Sequence, residues 1–243
     1  MSDNASPPAP LVLLTRPRAA SERFATMLRA EFGPMQIAIL PLMEIVPLVT
    51  TLDLEDVAAL IFTSAAGVEV FADLTGDRNL PAWCVGDRTA QAAREAGLKA
   101  MSAGGDAAAL VALMADARPL GRLLHLHGAH TRGDVAEGLN KAGLRAEGRA
   151  IYDQRRISPG PAFTAALAHD GPIVVPLFSP RSARLFAEAA DPVGANLRPV
   201  TISAAARDAL PDRLARTATL AAAPDAEAMM QAVGALISPQ TPA

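Results

Sequence analysis

At 243 residues the chain is long enough for one large domain or two small ones, each with its own core. Apolar residues make up 51% of it, much of that alanine, and aromatics only 4%, a balance that favours alanine-rich helices over modest strands. With 22 basic and 25 acidic residues the net charge is −3, which argues against general nucleic-acid binding while leaving room for a local basic cleft.

No run approaches the roughly 18 consecutive apolar residues of a membrane span. The first residues, MSDNASPPAP, lack the basic and apolar regions of a secretory signal and are expected to form a disordered leader over 1–10. LVLLT (11–15) then reads as a strand, followed by a helix over 18–32 with Phe24, Met27, Leu28 and Phe32 on one face. QIAIL (36–40) is the next strand, and PLMEIVPL (41–48) is extended, with prolines that discourage helix. VAALIFT (57–63) is a continuous apolar run of the buried parallel kind, leading into a helix over 66–74. AWCV is a strand, helices follow over 87–97 and 106–116, and RLLHL (122–126) is a strand. A helix over 132–142 stops at Gly143, and 145–157 is extended. The last third repeats the alternation: PIVVPLF (172–178), a helix over 181–190, RPVTI (198–202), a short helix, TATLA (217–221) and a helix over 225–237. Strands alternating with helices predict βαβ units and parallel sheets covered on both faces. The lone Cys84 fits a reducing compartment and, in PAWCVG, a buried strand thiol rather than a nucleophile.

The chain carries an internal repeat. IFTSAAGVEVF (61–71) aligns with LFSPRSARLF (177–186), setting Ser64 on Ser179 and Phe71 on Phe186. WCVGDRTAQAAREAGL (83–98) follows the first copy as VTISAAARDAL (200–210) follows the second, and 13–28 more weakly resembles 123–139. Two copies of one α/β unit are therefore expected. The stretches outside the βα rhythm, 41–49 and 148–157, are expected to pair as a two-stranded antiparallel β-ladder. One domain would then span 50–147, and the other would combine 1–40 with 158–243.

There is no G-x-G-x-x-G, P-loop or G-x-S-x-G motif. What recurs is a strand running into a small or hydroxyl turn at a helix start: TRPRAAS, TSAAG, GDRT, HGAHTRGD, SPRS and SAAA. Each such turn leaves backbone N–H groups facing outward at the positive end of a helix, and in an open parallel sheet these turns meet ligands. Singly each is a capped helix; their recurrence in both copies points to an anionic ligand. His125, His127 and His130 form an H-x-H-x-x-H stretch that suggests a metal, yet no cysteine or second histidine motif completes a site. The favoured reading is an anion-facing turn with His127 and Arg132 as donors, ahead of a solvated loop and of a metal site, and His125 fits a buried, hydrogen-bonded position in the core. Tyr152, the only tyrosine, either packs between the domains or offers its phenol to a leaving oxygen. Arg16 and Arg18 are surface charges or, at the end of the first strand, carboxylate ligands.

VLLTRPR, LPLMEIVPL, LIFTSAAGVEVF, CVGDRTAQAAREAGL, LHGAHTRGDVAEGLNKAGLRAEGRAIYDQ and FSPRSARLF, in this order over about 11–237, resemble the uroporphyrinogen-III synthase family. The resemblance implies an α/β fold of two similar parallel-sheet domains joined by a two-stranded antiparallel β-ladder, with the active site in the interdomain cleft. It implies a cyclising hydro-lyase, monomeric and cytoplasmic, that uses no metal or organic cofactor. The substrate would be hydroxymethylbilane, a linear tetrapyrrole with an acetate and a propionate on every ring. Water is lost, and the ring closes through a spirocyclic intermediate with its last pyrrole inverted. No membrane or nucleic-acid partner is implied, and a transient contact with the preceding pathway enzyme stays open.

By the same resemblance Tyr152 would assist hydroxide departure. Thr63 and Ser64 match the family's T-S turn, Ser179 and Ser182 the equivalent turn of the other copy, and Gly86 and Thr89 its V-G-x-x-T turn. The candidate substrate-binding set is Thr15, Arg16, Thr63, Ser64, Gly86, Thr89, His127, Gly128, Arg132, Ser179 and Ser182. The chain departs from the family in three turns. LHLHG replaces L-P-R-G, so His127 stands where an arginine is usual and binds carboxylate strongly only when protonated. SAAA replaces G-P-x-T, removing a hydroxyl near Ala205 and Ala206, and TSAAG replaces a TSPN-like turn. Two other readings remain at this point: a two-domain α/β anion-binding protein without chemistry, and a His-ligated metalloenzyme.

Overall fold

The computed structural model describes residues 8–130, 135–190 and 196–237; the expected leader and the first residues of the helix expected over 132–142 therefore lie partly outside it. The chain divides into two compact units, residues 1–44 with 156–243 and residues 45–155.

Strand β1 (Leu11–Leu14) is wholly buried and leads through Pro17 into α1 (Arg18–Phe32), which buries Ser21, Phe24, Ala25 and Leu28 on one helical face. Gly33, at φ 80°, takes the left-handed turn that ends it. After β2 (Gln36–Ile39) and β3 (Met43–Pro47), the second unit runs β4 (Val57–Phe62), α2 (Ala65–Leu74), β5 (Ala82–Cys84), α3 (Asp87–Glu95) and β6 (Ala100–Ser102). It continues with α4 (Ala107–Ala117), β7 (Arg122–Gly128), α5 (Val135–Lys141) and β8 (Arg145–Arg156). The chain then builds α6 (Pro161–Leu167), β9 (Ile173–Leu177), α7 (Pro180–Ala189), β10 (Leu197–Thr201), α8 (Ala204–Arg207), α9 (Asp212–Ala215), β11 (Thr219–Leu220) and α10 (Ala226–Ile237).

The first unit holds a five-stranded sheet in the order β11-β10-β9-β1-β2, parallel throughout. In the second unit β6-β5-β4-β7-β8 are likewise parallel, and β3 lies beyond β8 at the edge. The two orders superpose as β9 on β4, β10 on β5, β11 on β6, β1 on β7 and β2 on β8. The internal repeat is thus a repeat of topology. Its aligned phenylalanines sit alike: Phe71 and Phe186, both 0% exposed, each meet another ring edge-on, Phe62 at 5.7 Å and Phe163 at 6.4 Å.

Continuous apolar strands follow from burial on both faces. In the second sheet Leu60, Phe62, Leu124 and Leu126 face α2 and α3, while Ala59, Ile61 and Leu123 face α4 and α5. In the first, Leu13, Val175 and Leu177 pack under α6 and α7, while Val12, Leu14 and Val174 pack under α1 and α10. Arg78 ties the ends of α2 and α3 together, donating to the carbonyls of Ala72, Thr75, Asp77 and Ala96.

Several expectations need correction. β6, α6 and α9 have no counterpart in the sequence reading; each is too short, at three to seven residues, to establish a period. Strand β7 runs on through His127 and Gly128, which the sequence placed in a turn. The segment 148–157 does not stand outside the βα rhythm: up to Tyr152 it is a parallel partner of β7.

Candidate functional site

In each sheet the strand order reverses between two neighbouring strands whose following helices lie on opposite faces, the point at which open parallel sheets receive ligands at their carboxyl ends. In the second unit these strands are β4 and β7, followed by α2 on one face and α5 on the other. In the first they are β9 and β1, followed by α7 and α1. The sequence-derived residues gather at these two points.

At the end of β4, Ser64 caps α2, its Oγ accepting from the Gly67 N–H at 3.2 Å. The same oxygen lies 2.7 Å from the hydroxyl of Tyr152. Tyr152 reaches it because the register between β7 and β8 shifts after His127, pairing Gly128 with Tyr152, and because the Ala129 N–H donates to the Tyr152 carbonyl at 2.8 Å. The ring then lies on Gly128, where a Cβ would stand 2.8 Å from Cε2 and Cζ. Tyr152 is 5% exposed, so its phenol is neither solvated nor loosely packed. Burial raises its pKa above the usual phenol value; the Ser64 hydrogen bond lowers it and the charge of Glu69 raises it. The phenol holds its proton at neutral pH.

Thr63, one residue earlier, pairs through Oγ1 with Nε2 of buried His125 at 3.3 Å. His127 stacks on His125 with ring centroids 4.8 Å apart, donates from Nδ1 to the Gly128 carbonyl at 2.8 Å, and lies with Nε2 over Gly148. His130 Nε2 stands 3.5 Å from Asp153 Oδ1, an ion-pair distance without hydrogen-bond alignment. The three histidines therefore have three separate partners, and among the described residues no three His, Cys, Asp or Glu side chains gather as a metal would need. Arg132 lies outside the described residues. On the neighbouring strand, Gly86 precedes α3 with extended backbone, and buried Thr89 sits in the helix's first turn.

In the first unit, Thr15 directly follows β1 and has a buried Oγ1 without a hydrogen-bond partner among the described residues. Next to it the Arg16 guanidinium lies 4.1 Å over the ring of Phe178, which Phe24 meets edge-on at 5.0 Å. The Ser21 hydroxyl donates to the Arg16 carbonyl at 3.0 Å, fixing the turn. Ser179 and Ser182 form a reciprocal capping box at the start of α7, so both hydroxyls are engaged in holding the helix. Ser203 caps α8 at the SAAA turn, accepting from the Ala206 N–H at 3.3 Å.

Phe178 and Ser21 were missed by the sequence reading. Phe178 had a usable signal, an aromatic directly before the SPRS turn; Ser21 looked like any small helical residue.

Cys84 is buried in β5, and burial pushes its thiol up to about 11 from 9.0, partly offset by Arg94. Below pH 9.0 both folded and unfolded chains keep this proton; between there and about 11 only the unfolded chain releases it. Stability is therefore expected to fall across that range, and less steeply in Cys84→Ala, as read by denaturant melts at stepped pH. At neutral pH a thiol reagent should modify Cys84 only on unfolding.

The sequence model of the family described as "Uroporphyrinogen-III synthase HemD" matches residues 22–231. Among solved structures, uroporphyrinogen-III synthetase from Helicobacter pylori superposes with a TM-score of 0.66 at 16% identity, covering 93% of this chain and 98% of that one. A mutant uroporphyrinogen III synthase from Thermus thermophilus matches with a TM-score of 0.48 at 17% identity, covering 93% and 98%. A search of curated proteins gives no match. The first of these structures has the same fold, and the family model spans most of the chain: it belongs to the uroporphyrinogen-III synthase HemD family.

Proposed function

We propose that the chain is a uroporphyrinogen-III synthase, a cyclising hydro-lyase of tetrapyrrole biosynthesis that closes hydroxymethylbilane with loss of water and inversion of the last ring. The family match over residues 22–231 carries this assignment. No helix among the described residues is long and apolar enough to cross a membrane; the proposal places the enzyme in the cytoplasm.

In this proposal 1–40 with 158–243 forms one domain and 50–147 the other, with 41–49 and 148–157 as the antiparallel ladder between them. The hydrogen bonds Leu48 N to Ile151 O and Ile157 N to Leu42 O support the ladder, because residue numbers rise along one strand as they fall along the other. The substrate occupies the cleft between the domains and meets the carboxyl edge of each sheet. Its eight carboxylates are received by the helix-start turns at Ser64, Gly86, Thr89, Ser179 and Ser182, and by Arg16, held flat on Phe178. The buried Thr15 hydroxyl, which has no hydrogen-bond partner among the described residues, donates to one of these carboxylates in this proposal.

Tyr152 acts as the acid. Its phenol gives a proton to the departing hydroxyl, the C–O bond breaks, and water leaves while the pyrrole nitrogen stabilises the cation. The substituted α-carbon of the last pyrrole attacks this cation and forms a spirocyclic centre. The bond from that carbon to its original bridging methylene then breaks, leaving the cation on the neighbouring ring. The inverted pyrrole closes on that methylene through its free α-carbon, whose proton restores the phenol. Pyrroles supply both nucleophile and stabilised cation, so the protein mainly holds one geometry and excludes unrearranged closure.

The test is to supply freshly generated hydroxymethylbilane and identify the porphyrin isomer after oxidation. Isomer III is expected; isomer I alone, at the uncatalysed rate, would leave a binding protein without chemistry.

A further inference from the structure

Two hydroxyls in contact, one on a buried phenol, imply a division of labour. We propose that Ser64 is a positioning residue for Tyr152: anchored by the Gly67 N–H, its hydroxyl donates to the phenol oxygen and directs the phenol proton outward, toward the departing oxygen. This rests on the reading of Tyr152 as the acid.

Donor counting carries the inference. Ser64 Oγ accepts from Gly67 N–H at 3.2 Å and stands 2.7 Å from Tyr152 Oη. The pair holds two hydroxyl protons and one shared bond, so one proton is left for a third group. If Tyr152 donates to Ser64, the phenol proton is turned inward, away from any substrate. If Ser64 donates, the phenol proton is the one left over. A departing hydroxyl offering lone pairs selects the second arrangement, a chain running from Gly67 N–H through Ser64 O–H and Tyr152 O–H to the leaving oxygen. Each donor in such a chain polarises the next. Once the phenol proton has left with the hydroxyl as water, Ser64 remains as donor to the phenolate, which is otherwise costly to bury. The proton released from the ring carbon on closure returns to the same oxygen, so the couple ends as it began.

Geometry leaves the phenol little alternative. Its ring is 5% exposed and rests on Gly128, so it cannot swing to another partner without leaving its slot. The direction in which the Ser64 hydrogen bond moves the phenol, downward against the upward push of burial, is the direction a donor to phenolate gives.

The chain has one tyrosine, so ring-labelled [13C-ζ]tyrosine gives a single resonance that reports Tyr152 in the resting protein without any substrate. Ser64→Ala is expected to shift that resonance at neutral pH, move the phenol's ionisation to higher pH, and lower kcat about tenfold or more with KM within about twofold. Ser64→Thr should restore all three. Ser64→Asp keeps a good helix cap but, ionised, has no proton to donate, so it should behave like the alanine variant. An unmoved resonance in Ser64→Ala, or wild-type kcat in Ser64→Asp, overturns the proposal. If the resonance shifts but the wild-type chain makes no isomer III, the acid role of Tyr152 fails and this positioning role with it, while the hydroxyl pair stands as a structural contact.

Discussion

Gly128→Ala is expected to lower turnover by about a hundredfold and to destabilise the second unit by about 1–3 kcal/mol. Alanine is no burden on the backbone, since Gly128 is not among the glycines with positive φ. The objection comes from the ring lying on it. A Cβ at 128 would stand 3.1 Å from the hydroxyl of Tyr152 and only 2.8 Å from its Cε2 and Cζ, closer than packed carbons approach. The ring must lift, and its hydroxyl then leaves the 2.7 Å contact with Ser64. A displacement of about 1 Å at an acid is enough to cost two orders of magnitude in rate. Steady-state kinetics and a urea melt on the same preparation check both parts. A variant with the wild-type kcat and midpoint would show that the ring has room to move.

Tyr152→Phe separates the chemistry of this residue from its packing. The ring stays on Gly128, so KM should change little, while kcat falls by about 10²–10⁴ with the loss of general acid catalysis. Ser64 keeps its cap on α2, and removal of one neutral hydrogen bond costs about 0.5–1.5 kcal/mol. The variant also carries a pH signature. Because burial holds the phenol pKa above its ordinary value, the folded chain keeps a proton that the unfolded chain releases first as pH rises. Stability contributed this way is complete below the unfolded pKa and lost above it, so the wild-type chain should weaken more in alkali than Tyr152→Phe. Unchanged turnover in the phenylalanine variant would mean that the pyrrole expels hydroxide unaided and that the protein contributes position alone.

The architecture was legible because its signals are local. The TSAAG and SPRS turns announce capped helices after apolar strands, and both are found as Ser64 on α2 and Ser179 on α7. What escaped lies in pairings that no local pattern encodes. The HLHG segment alternates like a strand through His127, but Gly128 reads as a turn residue until the Tyr152 ring is known to lie on it. Ser64 and Tyr152 are 88 residues apart, and nothing near either predicts the other. The histidine cluster misled for the converse reason: its spacing suggests one shared ligand, whereas the nitrogens of His125 and His127 on β7, and of His130 beyond it, each meet a different polar partner. Phe178 mattered only once β9 and β1 were side by side, which brings it under Arg16.

The shared strand order has a consequence for how the chain is made. The second unit meets its strands in the order β4 to β8 and can close as soon as β8 has been synthesised. The first unit needs the five equivalent strands, but its pair β1 and β9 joins Leu11 to Ile173, and so must wait for the last third of the chain. Pairing across so long a separation is entropically slow. The neighbouring β3 and β8 relieve much of that cost, because they return the chain beside the point where it left. Pairing of β3 with β8 therefore shortens the effective loop that separates β1 from β9.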